Sequence, residues 1–365
     1  DLTGTNLTGV DLSNKDLTGT ILKDAKKIEI SVKNPSNSNW PNKALKELQN
    51  LHVTRYHLSG DVQYLATKQG FLFESINNEL RLVLDLNNDA QFPFIDSFSE
   101  AGLLGIASQN KLVYVAYTSQ DIDDSISLVV DEFSMNFTKV RNIIKIGGFE
   151  SRYHYGGALL FDSLGKLYLS VGDGAIQGDF EGHSQNLNNY RGKILRLDIS
   201  DLILEPEIIA YGIRNPWGVT IDSENRMFIL QCGWDHVEAV YLLNDLYSGI
   251  PANLGWPVFE GSIRMRDDPL IFDDVLAPIF ETITRPGCLT GGVYLNDIES
   301  LLFADFYGTI RLLKQKENGD WYLLHEYKQE EFIWGLGLDK KTKKIFIAPN
   351  NLELEISVEQ VKLNQ

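Results

Sequence analysis

A chain of 365 residues with 43% apolar side chains has ample material for a buried core, and 33 basic against 50 acidic residues leave a net charge of −17. That charge repels phosphate backbones and anionic lipid, which argues against nucleic acid as a partner, and no apolar run approaches the roughly 20 residues a membrane helix needs. The chain starts at Asp1 without a Met, and the expectation is a removed leader and a secreted, periplasmic or cell-surface setting.

Residues 1–25 read as five consecutive pentapeptides, DLTGT NLTGV DLSNK DLTGT ILKDA, with Leu at every second position. They resemble a pentapeptide-repeat segment, a right-handed β-helix in which about four pentapeptides make one square coil. A single coil cannot bury its own Leu column. The expectation is a cap or tether over residues 1–26, packed on the main domain.

Residues 27–51 are expected to link this segment to the main domain. They hold a plausible strand, KIEISVK, a polar loop, NPSNSNWPN, and a short amphipathic run, ALKELQNL. An early strand could close a ring by joining the last sheet, though the residues do not decide that pairing.

From His52 onward one shape recurs, an apolar run, a polar turn and a second apolar run over seventeen residues. The copies start at Val62, Leu103, Ala158, Gly218, Gly292 and Gly335, which places them 41, 55, 60, 74 and 43 residues apart. Each reads as a β-hairpin. Strand repeats of this period point to a propeller, whose four-stranded blades bury their faces against one another. The predicted fold is therefore all-β, a six-bladed β-propeller over residues 52–365. Long insertions, QGDFEGHSQNLNNY in the third blade and Tyr247 to Pro278 in the fourth, suggest one decorated face.

Cys232 and Cys288 are the only cysteines and fit no metal-ligand spacing; both follow repeat strands in neighbouring blades. Two buried free thiols are the favoured reading and a disulfide the alternative. Asn6 and Asn136 head candidate glycosylation triplets.

The chemistry concentrates in Arg152 to Gly174, RYHYGGALLFDSLGKLYLSVGDG. With it, SEAGLLGIA from Ser99, HYGGALLFD from His154, GDG from Gly172, RGKILRLD from Arg191, AYGIRNPWG from Ala210 and NLGWP from Asn253 resemble, in order, the soluble quinoprotein sugar dehydrogenases of the glucose/sorbosone dehydrogenase family. The resemblance implies a propeller that holds pyrroloquinoline quinone (PQQ) and Ca²⁺ over its channel. There a sugar or related small alcohol gives a hydride to the quinone while a His removes its hydroxyl proton.

By motif match His154 is that base and Asp173 the carboxylate that orients it. An imidazole of ordinary pKa near 6.5 can accept such a proton at neutral pH. The same match makes Glu100, Arg214, Asn215 and Trp334 cofactor contacts, and gives Gly233 and Trp234 the backbone carbonyls that would hold Ca²⁺. Four departures stand out. An acidic pair is reduced to Glu238 followed by Ala239, Glu100 stands where Gln is usual, Phe306 and Tyr307 lie where a Lys is expected, and Phe332, Ile333 and Trp334 replace Arg residues of the last blade.

The first functional reading is a PQQ-dependent sugar oxidoreductase with an unassigned electron acceptor. The second is a non-catalytic propeller that recognises a glycan or protein through an aromatic mouth of Trp217, Trp234, Phe332 and Trp334. A Ca²⁺-dependent hydrolase would need several inward acids around one axial metal, and no such set can be assembled from the sequence.

Overall fold

The computed structural model describes residues 26–33, 51–59, 62–76, 79–96, 100–176, 178–200, 205–267, 274–283, 287–339, 345–348 and 352–360. The pentapeptides before Lys26, the ALKELQNL run up to Asn50 and Asn6 lie outside the described residues.

The chain folds as an all-β propeller. Five blades, not the expected six, are each drawn from one continuous stretch of chain. Blade one is Val53–Ser59, Val62–Thr67, Phe71–Ile76 and Glu79–Asp85. Blade two is Leu103–Gln109, Leu112–Gln120, Ile126–Ser134 and Lys139–Phe149. Blade three is Gly156–Phe161, Leu167–Val171, Lys193–Leu197 and Glu207–Tyr211. Blade four is Asn215–Ile221, Met227–Cys232, Glu238–Leu243 and Phe280–Thr282, and blade five is Leu289–Leu295, Ser300–Asp305, Thr309–Gln315 and Trp321–Lys328. The remaining sheet is composite: Gly335–Leu338, Ile345–Ala348 and Leu352–Gln360 are completed by Lys26–Lys33 from the other end of the chain. A repeat search cannot see that fourth strand, because it precedes every copy.

Five of the six hairpin copies begin on a blade's innermost strand, and the first does not. The copy from Val62 covers the second and third strands of blade one, whose innermost strand is Val53–Ser59. The turn from Lys68 to Gly70 is polar and contains a Gly, as does the stretch from Ser59 to Asp61, and so drew the phase one strand outward.

The core lies between the sheets rather than within any one of them. Blades one and two share Tyr64, Leu72, Val113 and Val115; the composite sheet packs on blade five through Leu302, Ile310, Ile345 and Ile347, and on blade one through Phe73 and Phe346. A sheet covered on both faces has no polar side, which is why Met227–Cys232 is buried along its whole length.

Cys232 ends the second strand of blade four and Cys288 immediately precedes blade five; their Cα atoms are 4.5 Å apart and the two are joined in a disulfide. The favoured reading of two free thiols is corrected: the inward rim brings neighbouring blades together there. In the chain-entropy picture a bridge across 56 residues contributes about 4 kcal/mol. Spread over the unfolding entropy of a chain this long, that is about 5 °C. The double variant Cys232→Ala, Cys288→Ala is expected to melt about that much lower by calorimetry.

Candidate active site

The innermost strands all begin at one rim of the channel, and the residues just before them converge there. Glu100 precedes Leu103, His154 precedes Gly156, Arg214 precedes Asn215, and Trp334 precedes Gly335. Antiparallel pairing returns the second strands to the same rim, so Asp173 follows Val171 and Gly233 follows Cys232. The expected site residues therefore share one end of the ring for a topological reason.

His154 is buried, only 6% exposed, and sits at φ 64°, a left-handed backbone that a non-glycine residue adopts at a cost of about 1–2 kcal/mol. Its N–H donates to Glu100 Oε2 at 2.7 Å, and Asn215 Nδ2 donates to the same oxygen at 3.1 Å. Its Nδ1 lies 2.8 Å from Asp173 Oδ1. An ionised carboxylate only accepts, so the neutral ring carries its proton on Nδ1 and presents Nε2 as the base.

Asp173 is fully buried and held on every side. Oδ1 also accepts the Ala175 N–H at 3.1 Å, Oδ2 accepts Trp256 Nε1–H at 2.8 Å, and the Asp173 N–H donates to Arg214 O at 2.7 Å. Trp256 arrives from the fourth-blade insertion. Ala252–Asn253 runs back to pair in parallel with Glu207–Tyr211 of blade three, which carries the indole beneath the dyad. The third-blade insertion is tied down by Lys193, whose buried Nζ donates to the carbonyls of His183, Ser184 and Arg191. Burial pulls that ammonium down to about 7, with Asp179 opposing.

Arg214 lies beside this pair. Its Nη1 donates to Gly233 O at 2.7 Å and Cys232 O at 3.2 Å, and its guanidinium carbon is 5.8 Å from the centre of the Trp256 ring. Burial lowers it below the ordinary arginine value, and the carboxylates of Asp173, Glu100, Glu238 and Glu260 oppose that shift. The loop after Gly233 is clamped from behind. Glu260 Oε1 accepts the N–H groups of Trp234, Asp235, His236 and Val237 at 2.6, 2.8, 3.0 and 3.3 Å, while Glu238 Oε2 accepts that of Gly233 at 3.0 Å. Burial works to raise the Glu260 carboxyl; the backbone donors of His236, Asp235 and Trp234 outweigh it and hold the group below its ordinary value.

Beyond Glu100 the recess is lined by Arg55, Lys68, Trp217 and Trp334. Arg55 holds it together, donating to Thr54 O and Trp334 O, each at 2.9 Å, and to Trp217 O at 3.1 Å; burial pulls it down to about 10. Trp217 meets Trp334 edge-on at 6.1 Å, Trp334 meets Phe306 edge-on at 5.1 Å, and Phe306 stacks on Phe332 at 4.8 Å. Phe332 is 54% exposed at the end of this aromatic series.

His154, Asp173, Glu100, Arg214, Asn215 and Gly233 thus form one hydrogen-bonded network. Trp334 joins through the recess, and Trp234 meets Trp256 edge-on at 5.8 Å. Sequence reasoning missed Trp256, Arg55, Lys68 and Glu260. Trp256 stood inside the quoted NLGWP phrase, and its indole N–H needs a partner when buried, a signal that was present.

The residues fit one of the two expected cofactors and not the other. Arg214 Nε and Asn215 Oδ1 are buried without a partner. Beside the aromatic recess they leave a donor and an acceptor for a planar polar group, as PQQ would need. Ca²⁺ fits poorly, because Gly233 O already receives a guanidinium. A divalent ion about 4 Å from that charge would be repelled by about 8 kcal/mol at an effective dielectric near 20. Among the described residues no group of three or more His, Cys, Asp or Glu is arranged to hold a metal.

Residues 61–271 match the family model for glucose/sorbosone dehydrogenase, and residues 1–26 match pentapeptide repeats. The chain is 33% identical to the HIPL2 protein of Arabidopsis thaliana over 182 residues, 42% of this chain and 24% of that one. It is 26% identical to an aldose sugar dehydrogenase of Escherichia coli over 199 residues, 47% and 50% of the two chains. It thus spans about a quarter of the plant relative's length and half of the bacterial one's. In fold it is similar to the PQQ-bound aldose sugar dehydrogenase of Streptomyces coelicolor, with TM-score 0.62, 18% identity, and 90% and 99% of the chains covered. With the match at residues 61–271 covering more than half of its length, the chain belongs to the glucose/sorbosone dehydrogenase family.

Proposed function

We propose that the chain is an oxidoreductase that takes hydrogen from a sugar or related small alcohol, with His154 as the general base. The observation that carries this reading is the His154–Asp173 pair at 2.8 Å, which orients a buried imidazole with Nε2 turned away from its carboxylate. Four cationic or aromatic groups, Arg214, Lys68, Trp217 and Trp334, would hold PQQ, which when bound supplies the quinone that accepts the hydride.

The protein's own part is proton transfer and positioning. His154 Nε2 takes the hydroxyl proton as the carbon–hydrogen bond weakens, and the ring becomes an imidazolium. Asp173 faces that charge, and its three donors keep it from turning away. Asp173→Asn is expected to lower kcat about 10- to 10³-fold, less than loss of the ring itself, because the amide still fills the space but no longer offsets the imidazolium. Dye-linked turnover of PQQ-supplemented protein against a panel of aldoses tests both claims; wild type that neither binds PQQ nor turns over any aldose removes the oxidoreductase reading.

A second reading, a non-catalytic propeller that binds a glycan, is favoured by the aromatic series ending at exposed Phe332 where cationic residues were expected. It predicts saturable sugar binding by calorimetry without turnover. In either case we take residues 52–365 together with the Lys26–Lys33 strand as the propeller, with the composite sheet as its sixth blade, the residues between that strand and residue 52 as the link and the residues before Lys26 as a cap. The disulfide supports an exported setting, since such bonds persist in oxidising compartments.

A further inference from the structure

We propose that Arg214 is a built-in cation in the place a divalent ion would take, so that this channel mouth works without metal. The inference goes beyond the proposed function and stands whether or not the chain oxidises a sugar. It starts from the polarity of one loop. Every backbone N–H from Gly233 to Val237 points at a carboxylate, four of them at Glu260 Oε1 and that of Gly233 at Glu238 Oε2. At the start of the loop the carbonyls of Cys232 and Gly233 turn together toward a positive group.

A pair of carbonyls fixed this way is a ready oxygen site for a hard cation. Here the cation is covalently part of the protein. Arg214 Nη1 reaches both oxygens at 2.7 and 3.2 Å. Its backbone is pinned on both sides, the N–H to Gln231 Oε1 at 3.1 Å and the carbonyl to the Asp173 N–H at 2.7 Å. A flexible surface Arg could swing aside for an ion; one so anchored, packed over Trp256 and facing four carboxylates, has little reason to leave.

The acids that would have to ligate a metal are also committed. Asp173 and Glu260 have both oxygens in hydrogen bonds, and Glu238 Oε2 takes the N–H groups of Gly233 and Leu289. The position after Glu238 is Ala239, 1% exposed, which offers no oxygen ligand from its side chain. Arg214 Nε remains buried and unpartnered, so the guanidinium still has a donor to offer a bound ligand.

Terbium(III), a hard-cation probe excited through nearby indoles, reads this site directly, because Trp234 lies on the loop and Trp256 beneath it. Wild type is expected to show no terbium emission beyond that of Trp234→Phe. Arg214→Gln, which removes the charge, is expected to gain saturable emission at least about 10-fold above wild type, displaced by Ca²⁺ and weakened when Trp234→Phe is added. Arg214→Lys, which keeps the charge, should remain dark. Saturable, Ca²⁺-displaced emission from wild type that weakens in Trp234→Phe overturns the proposal, and so does a folded Arg214→Gln that stays dark. Should Arg214→Gln fail to fold, the wild-type titration still decides between the two.

Discussion

His154→Ala is expected to lower turnover of an aldose by 10² to 10⁴, the usual contribution of a positioned general base, while the melting temperature and the quinone titration stay near wild type. The prediction rests on how the ring is held. Its Nδ1 is committed to Asp173, its backbone N–H to Glu100, and its backbone is in a left-handed conformation that Ala adopts only somewhat less readily than His. Truncation therefore removes the imidazole without releasing the loop. A group that acts only in proton abstraction lowers kcat and kcat/KM together, with KM little changed. If the variant instead loses PQQ binding with its rate, His154 is a cofactor contact and not the base. Equal rates for wild type and variant leave glycan binding as the better reading.

How much of this could be read from the chain depends on how local each feature is. A hairpin buried on both faces writes its alternation into seventeen consecutive residues, and so the five continuous blades were legible. The phase of blade one was not, since its inner and outer turns carry similar residues. The composite sheet was only half legible, because Lys26–Lys33 pairs with Leu352–Gln360 across nearly the whole chain. In the site, His154, Asp173, Arg214 and Asn215 were singled out by their resemblance to family motifs, and the structure brings them to one rim because each lies within a few residues of a repeat strand. Trp256 and Glu260 reach the dyad and its loop through an insertion whose path no local pattern records, and Arg55 shapes the recess from blade one through three backbone carbonyls. Arg214 shows a different limit: the motif match singled it out as a cofactor contact, while the partner it has here, the carbonyl expected to hold Ca²⁺, belongs to another loop.

Gly172→Ala is expected to be among the most damaging conservative changes to the site among the described residues. A methyl on Gly172 would lie 2.0 Å from the carbonyl oxygen of His154 and 2.4 Å from its carbonyl carbon, both backbone atoms that no rotamer change can move. The segment it meets is itself fixed. The His154 N–H is held by Glu100, its carbonyl accepts the Gly174 N–H at 3.2 Å, and the Gly172 N–H donates to Tyr155 O at 3.2 Å. Relief must come from parting the two segments by about 1 Å, and they are the segments that carry His154 and Asp173. Overpacking of this kind costs about 1–3 kcal/mol, and a misplacement of about 1 Å in a reacting group costs about 10² in rate. Gly182→Ala separates crowding from backbone strain. Unlike Gly172 it has a positive φ, 73°, and its methyl would meet nothing within 4 Å. That control should lose only about 1 kcal/mol and no activity. Denaturant titration and turnover on the same preparations test the pair. If Gly172→Ala keeps wild-type turnover at reduced stability, the dyad tolerates a shifted backbone and its geometry is not what limits the rate; loss of both together ties the blade's close approach to the chemistry at its rim.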